Sequence, residues 1–290
     1  MKRILLCAAL LAASLAAHAQ LGGFDIGKAL DIGRKMADAA KTQNLSQEEE
    51  VNLGDGICAG FLGATKLHPD ANMQRYVNRV GKWLALHSDR PDLPWTFGVI
   101  DTETINAFAM PGGNVIISSG LLKRLSSESE LAGVLSHEIA HVVKKHQLSA
   151  IQSSQLTDIA SDVGKEYAAN RVARGGGSAL AQAGKGVLFD KGIDLVKNGF
   201  FLRPLDRSME YEADQLGIVI ATRSGYDPYG LVAALQMLAQ YKGGGDAASV
   251  FSTHPPATDR IAELEKFLPA VDKYASQPQL EGRFHQMVKQ

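Results

Sequence analysis

Ser127-Glu128-Ser129-Glu130-Leu131-Ala132-Gly133-Val134-Leu135-Ser136-His137-Glu138-Ile139-Ala140-His141-Val142-Val143 is the stretch that decides how the chain reads. Ser127 followed three residues later by Glu130 is a capping-box pattern that opens a helix. Leu131, Val134, Leu135, Ile139, Val142 and Val143 recur at helical spacing, which predicts a helix over about 126–146. His137 and His141 lie four apart, so both imidazoles share one face and can ligate one metal ion. Glu138 is offset by about 100°, within reach of a water beside that ion, where it suits a general base. A largely buried apolar helix carries two histidines only for a reason, and a shared metal supplies one.

Two ligands do not complete a catalytic site, which uses three protein groups and one open position. His146 stands nine residues from His137, about 180° around the helix, and the spacing is wrong for the metzincin pattern. It is expected to be structural or solvent-exposed. A better source lies downstream in Glu210-Tyr211-Glu212-Ala213-Asp214. Glu210 and Asp214 share a helix face, so one can ligate while the other orients a ligand imidazole; Glu212 points elsewhere.

Outward from this pair of segments, Ser46 and Glu49 form another capping box, opening a helix to about Leu62. Pro69 starts a further helix in which Met73, Tyr76, Val77, Val80, Trp83 and Leu84 recur at helical spacing. The period then changes. Trp95 to Ile100, Ile105 to Met110 and Val115 to Ser118 read as short strands, the last two separated by the turn Pro111-Gly112-Gly113. Helices are expected at about 206–224, 228–241 and 256–268. The last twenty residues show no strong pattern, and no repeat of 20–50 residues is visible. The expected fold class is α+β, mainly helical, with a small antiparallel sheet beside the metal-binding helix.

The chain has 290 residues, 45% hydrophobic and 21% charged, with net charge −1 and two cysteines. That composition is globular and excludes collagen-like, disulfide-rich and broadly disordered chains. Near-neutral charge gives no reason to expect a nucleic-acid partner. Lys2 and Arg3, the apolar stretch Ile4 to Leu15, and Ala17-His18-Ala19 read as a signal peptide over residues 1–19, cleaved before Gln20. Cleavage removes Cys7 and leaves Cys58 as a single cysteine, in an apolar context that favours a buried, inert thiol. Residues 20–290 then read as one domain, with a loosely packed arm at 20–45 and a helical excursion at 150–205. The amphipathic stretch from Val187 to Leu202 allows a peripheral membrane contact, though a solvated hairpin fits it better. Later segments stay below 18 uninterrupted apolar residues, so no membrane span is expected.

The motifs together resemble a known family. His137-Glu138-Ile139-Ala140-His141 with Glu210-x-x-x-Asp214 is similar to the gluzincin family of HtpX, the CAAX prenyl proteases and the periplasmic BepA- and LoiP-type proteases, metallopeptidase family forty-eight. Asn106 to Gly113 with Ser119-Gly120-Leu121-Leu122 matches the segment before the zinc helix in soluble members. Thr253-His254-Pro255-Pro256 with Arg260-Ile261 matches the C-terminal motif. The resemblance spans about 48–268. It implies a zincin-like domain binding one Zn2+ through His137, His141 and Glu210, with Glu138 as base and Asp214 orienting a ligand. It further implies that the strand at Asn106, Ala107, Phe108 and Ala109 holds a peptide substrate along its edge. His254 and Arg260 resemble groups that steady the oxyanion or regulate access to zinc. The implied protein is a periplasmic zinc endopeptidase acting on unfolded or misassembled envelope polypeptides. The alternative is a chaperone-like binding protein with latent or structural zinc. Neither reading fixes an oligomeric state.

Overall fold

The computed structural model describes residues 45–153, 204–241 and 254–288. The chain divides into two compact units. One comprises Leu45–Ala150 and Gly184–Gln290; the other, Met1–Asn44 with Ile151–Ala183, lies outside the described residues except for 151–153. The signal peptide, the N-terminal arm, most of the 150–205 excursion and the Val187–Leu202 stretch also fall outside them.

Helix α1 (Gln47–Ala64) starts as its sequence predicts: Ser46 caps Glu49 and the Glu49 carboxylate closes back onto the Ser46 amide. Helix α2 (Ala71–Leu86) is capped by Asp70 and buries Met73, Tyr76, Val77, Val80 and Leu84. Trp83, expected on that buried face, is 48% exposed and spends its indole N–H on the Ser224 carbonyl, 2.9 Å away. A Trp placed at the edge of an apolar stripe can bury part of its ring and still keep its polar atom paired.

Strands β1 (Thr96–Ile100), β2 (Ala107–Met110) and β3 (Asn114–Ser118) form one sheet in the order β1-β3-β2. β2 and β3 are antiparallel, but β1 pairs with β3 in parallel, Phe97 opposite Val115. The sheet is therefore mixed rather than wholly antiparallel. Consecutive strands are not always neighbours: after β1 the chain passes to the far edge, forms β2, and returns through Pro111–Gly113 to run β3 down the middle. Gly112 makes that return possible, with φ 79° and a Cβ position only 2.6 Å from the Val51 Cα.

The two sheet edges differ. Along β1 the Gln74 side chain receives the Val99 N–H and donates to the Val99 carbonyl, and Asn78 receives the Phe97 N–H. That edge is closed by these α2 side chains and by main chain at 66–68, where the His68 amide donates to the Val99 carbonyl. At β2 the Ser118 amide donates to the Asn106 carbonyl, which makes 106, 108 and 110 the bonded positions and turns the backbone groups of Ala107 and Ala109 away from β3.

After the short helix α3 (Ser119–Leu122), helix α4 (Glu128–Val143) runs through the centre, with Leu131, Leu135, Ile139 and Ala140 fully buried. Truncating one such Leu or Ile to Ala costs about 2–5 kcal/mol, so α4 is held by packing more than by propensity. Helices α5 (Arg207–Arg223) and α6 (Gly230–Gln240) pack against α4, and α7 (Ala257–Leu264) packs on both. The patternless C-terminus carries a further helix, α8 (Glu281–Val288), whose Phe284 is buried in the main core. Eight residues with two buried positions leave too short a period to detect. Arg283 fastens it from outside, bonding the buried Glu128 that also accepts from Tyr76 and Tyr226.

Candidate metal centre

His137 and His141 project from one face of α4 with their Nε2 atoms 3.0 Å apart. Helix α5 faces them because Glu210, Asp214 and Gly217 occupy one stripe of it, at i, i+4 and i+7. Gly217 sets the approach: a Cβ there would lie 2.9 Å from the His137 backbone nitrogen. That contact brings a Glu210 oxygen within 3.7 Å of each imidazole Nε2. His254, before α7, places Nδ1 2.6 Å from Glu210 Oε2. His137, His141, Glu210 and His254 can thus each direct one ligand atom to a common point, all within 4.8 Å of one another.

The donor set fits a metal ion. Glu210 is fully buried, and its Oε1 has no hydrogen-bond partner. A buried, unpartnered carboxylate oxygen beside two imidazole nitrogens is an expensive arrangement unless a cation completes it. Two His and a Glu with one further position suit Zn2+.

Each imidazole is braced from behind. His137 Nδ1 lies 2.9 Å from Asp214 Oδ1, so it donates there and leaves its Nε2 lone pair facing the centre. Asp214 is held by Arg260 through Nε at 2.9 Å and Nη2 at 2.5 Å. Burial alone would raise the Asp214 carboxyl, but Arg260 and then His137 outweigh it and hold the group well below the usual range. Glu210 follows the same pattern: burial raises it, while His254, His137 and Arg260 together bring it down. For His254, burial disfavours the imidazolium, yet the adjoining Glu210 carboxylate raises it overall. Glu138, buried beside the centre, is pushed up chiefly by desolvation. A carboxylate so raised is a stronger base than one in water.

A cavity opens beside these groups, lined by Asn106, Ala107, His137, Glu138, His254 and Arg260 on its polar side. Its apolar wall comes from Leu121, Val134 and α6, including Leu231 and Leu235. The structure therefore gathers His137, Glu138, His141, Glu210, Asp214, His254, Arg260, Asn106 and Ala107 in one place. Phe108 does not join them; it turns toward α1, its ring 4.9 Å from that of Phe61. Ala109 is buried without lining the cavity.

Of the two expectations for His146, structural or solvent-exposed, the exposed one fails, and so does its placement on the far side of the helix. His146 is buried, with Nδ1 3.0 Å from His141 Nδ1 and Nε2 3.3 Å from Glu212 Oε2. Helix α4 ends at Val143, and Lys145 turns the chain with φ 57°. The 180° projection assumed a continuous helix, and a left-handed residue breaks that phase. Lysine is not a residue whose type announces such a turn, so no local signal marked it. Cys58, expected to be buried, is only partly so, and burial raises its thiol.

The fold thus brings a His-Glu-x-x-His helix, a facing Glu210 and a strand edge together at one site. The chain belongs to peptidase family M48, whose model matches residues 71–268. It is 31% identical over 220 residues to the beta-barrel assembly-enhancing protease of Escherichia coli K12, covering 76% of this chain and 44% of that one. It is 30% identical over 241 residues to the mitochondrial metalloendopeptidase OMA1 of Schizosaccharomyces pombe, covering 83% of this chain and 62% of the relative. Metalloprotease YcaL of Escherichia coli K12 is 28% identical over 263 residues, 90% of this chain and 95% of its own. The chain thus spans less than half the length of the beta-barrel assembly-enhancing protease it matches. Among the described residues no helix is long and apolar enough to cross a membrane.

Proposed function

We propose that this chain is a zinc-dependent endopeptidase, exported to the bacterial periplasm by a cleaved leader at residues 1–19, that hydrolyses unfolded or misassembled envelope proteins. The observation that carries this reading is the convergence of four ligand-capable groups beside a buried Glu138, next to a strand edge with outward backbone groups. His137, His141 and Glu210 would hold the ion. When bound, zinc polarises the scissile carbonyl and acidifies water. Glu138 accepts the proton of the attacking water and passes it to the leaving amine. The Ala107 carbonyl and the Ala109 amide and carbonyl face an extended peptide, which adds as a strand, whereas the Ala107 amide is bonded to Asn106 Oδ1 at 2.9 Å; the apolar wall of the cavity receives one of the peptide's side chains. Arg260 engages Asp214 through Nε and Nη2, and its Nη2 also lies 3.3 Å from His137 Nδ1, so it fixes His137 both through Asp214 and directly. His254, facing Glu210, governs access to the ion.

Backbone recognition favours unfolded chains, because a folded protein has few free extended segments to offer. The names of several relatives, which refer to beta-barrel assembly, support envelope polypeptides as clients. The decisive test is casein hydrolysis by the purified protein and its Glu138→Gln variant at matched zinc content. The parent cleaves and the variant loses at least about 10²-fold in kcat, the low end of a general-base contribution. Equal rates would sink the mechanism. If neither protein cleaves and both suppress aggregation of an unfolded client, the chain is a binding protein.

A further inference from the structure

We propose that His146 and Glu212 are positioning residues for His141: together they fix the tautomer that leaves His141 Nε2 free to bind the metal. The inference rests on the metal-centre reading above and extends it to two groups outside the ligand set.

The proton positions follow from donor and acceptor logic along one chain of contacts. A Glu212 carboxylate can only accept. His146 Nε2, 3.3 Å from Glu212 Oε2, therefore carries its proton on that side. A neutral imidazole has a single N–H, so His146 Nδ1 is left as an acceptor. It lies 3.0 Å from His141 Nδ1, which must then be the donor. The His141 Nε2 lone pair consequently faces His137, Glu210 and the common point of the four ligand groups. The opposite set of tautomers would turn a His146 lone pair toward the Glu212 carboxylate and place the His141 proton where the ion sits.

The elements explain why these residues meet. Glu212 lies on α5 between Glu210 and Asp214, on the side that passes the end of α4. Lys144, next to the turn that brings His146 back, pairs with Glu212 Oε1 at 2.7 Å and keeps the carboxylate aligned along the His146 ring. The outer support of one ligand is therefore built from the helix that also supplies the third ligand. A carboxylate or carbonyl behind a ligating imidazole commonly alters metal affinity by about 10–100-fold; here a second imidazole stands between the two.

The experiment compares zinc affinity of the full chain, His146→Phe and His146→Gln by competition with a chelator, together with thermal melting of each protein in its metal-free form. Phe fills the site but accepts no proton, and zinc should bind about 10–100-fold more weakly. Gln offers an oxygen to His141 and an N–H to Glu212, and should restore most of the loss. Metal-free melting should order the variants differently from zinc affinity. Parent-like affinity in His146→Phe overturns the proposal while leaving the metal centre intact. Equal loss of affinity in both variants, tracking a common fall in metal-free melting, reduces His146 to a packing residue and overturns it too. A parent that binds no zinc overturns the metal centre along with it.

Discussion

The two histidines of α4 are four residues apart on one helix, yet they are braced in opposite ways. Behind His137 stand Asp214 and Arg260, 1% and 5% exposed, an ion pair sealed from water. Behind His141 stand His146, buried, and then Glu212, whose side chain is 48% exposed and paired with Lys144 at the surface. The first brace is an interaction in a low-dielectric interior, where losing one partner strands the other. The second ends in solvent, where charge is screened and a lost partner is replaced by water. One ligand is held by a lock inside the core and the other by a chain that leads out of it.

The sharpest way to break this contrast is Asp214→Ala. It leaves the buried Arg260 guanidinium without the carboxylate it bonds, and removing one partner of a buried pair costs about 3–5 kcal/mol. Urea denaturation of the metal-free protein reads this directly; an unchanged midpoint would mean that Arg260 escapes to solvent and the sealed brace does not exist. Gly217→Ala tests the contact that both braces share. Its Cβ would stand 2.9 Å from the His137 backbone nitrogen, and overpacking of this kind costs about 1–3 kcal/mol. Zinc affinity should fall with stability, since α5 carries Glu210, Glu212 and Asp214 as one body.

Acid probes another buried carboxylate, Glu50, which ties α1 to the C-terminal end of α4. Arg90 bonds both Glu50 and the Val142 carbonyl. Burial would raise Glu50, but Arg90 and Lys145 together lower it below 4.5. A carboxyl depressed in the folded state adds stability above its unfolded value, and that share disappears as pH falls through the folded value. Melting should therefore change little in this respect from pH 7 to about 5 and decline below about 4.5, with a shallower acid slope in Glu50→Gln. The smallest effect is expected from Glu212→Gln. A glutamine can present either an N–H or an oxygen to His146, so the tautomer is favoured less strongly rather than lost. Its zinc affinity should fall by less than in His146→Phe, and the gap from the parent should narrow in 1 M salt. An Asp214 variant should show no such salt dependence.

Much of the molecule was legible along the chain. Helices α1, α2, α4, α5, α6 and α7 begin within a few residues of their expected starts, because caps and a 3.6-residue period are local signals. The i, i+4 spacing placed Glu210 and Asp214 on one helix face, and the family resemblance, not the spacing, matched them to His137 and His141. What remained hidden depended on partners distant in sequence. The parallel β1–β3 pairing needs a chain path, which strand patterns do not encode. The closure of the β1 edge by Gln74 and Asn78 depends on where α2 lies. Helix α8 is held by Phe284 in a core contributed by other elements, and by Arg283 on Glu128.

His137, Glu138 and His141 carry their chemistry in their spacing, since a helix makes geometry from sequence separation alone. His146 and Glu212 do not. Sixty-six positions separate them, and they meet because a left-handed Lys145 ends one helix while Gly217 lets another approach. The periodic pattern was enough to name a metal site and its base. Which groups stand behind each ligand, and whether they face the core or the solvent, followed from packing, because burial and hydrogen-bond direction are properties of the assembled elements and of no single segment.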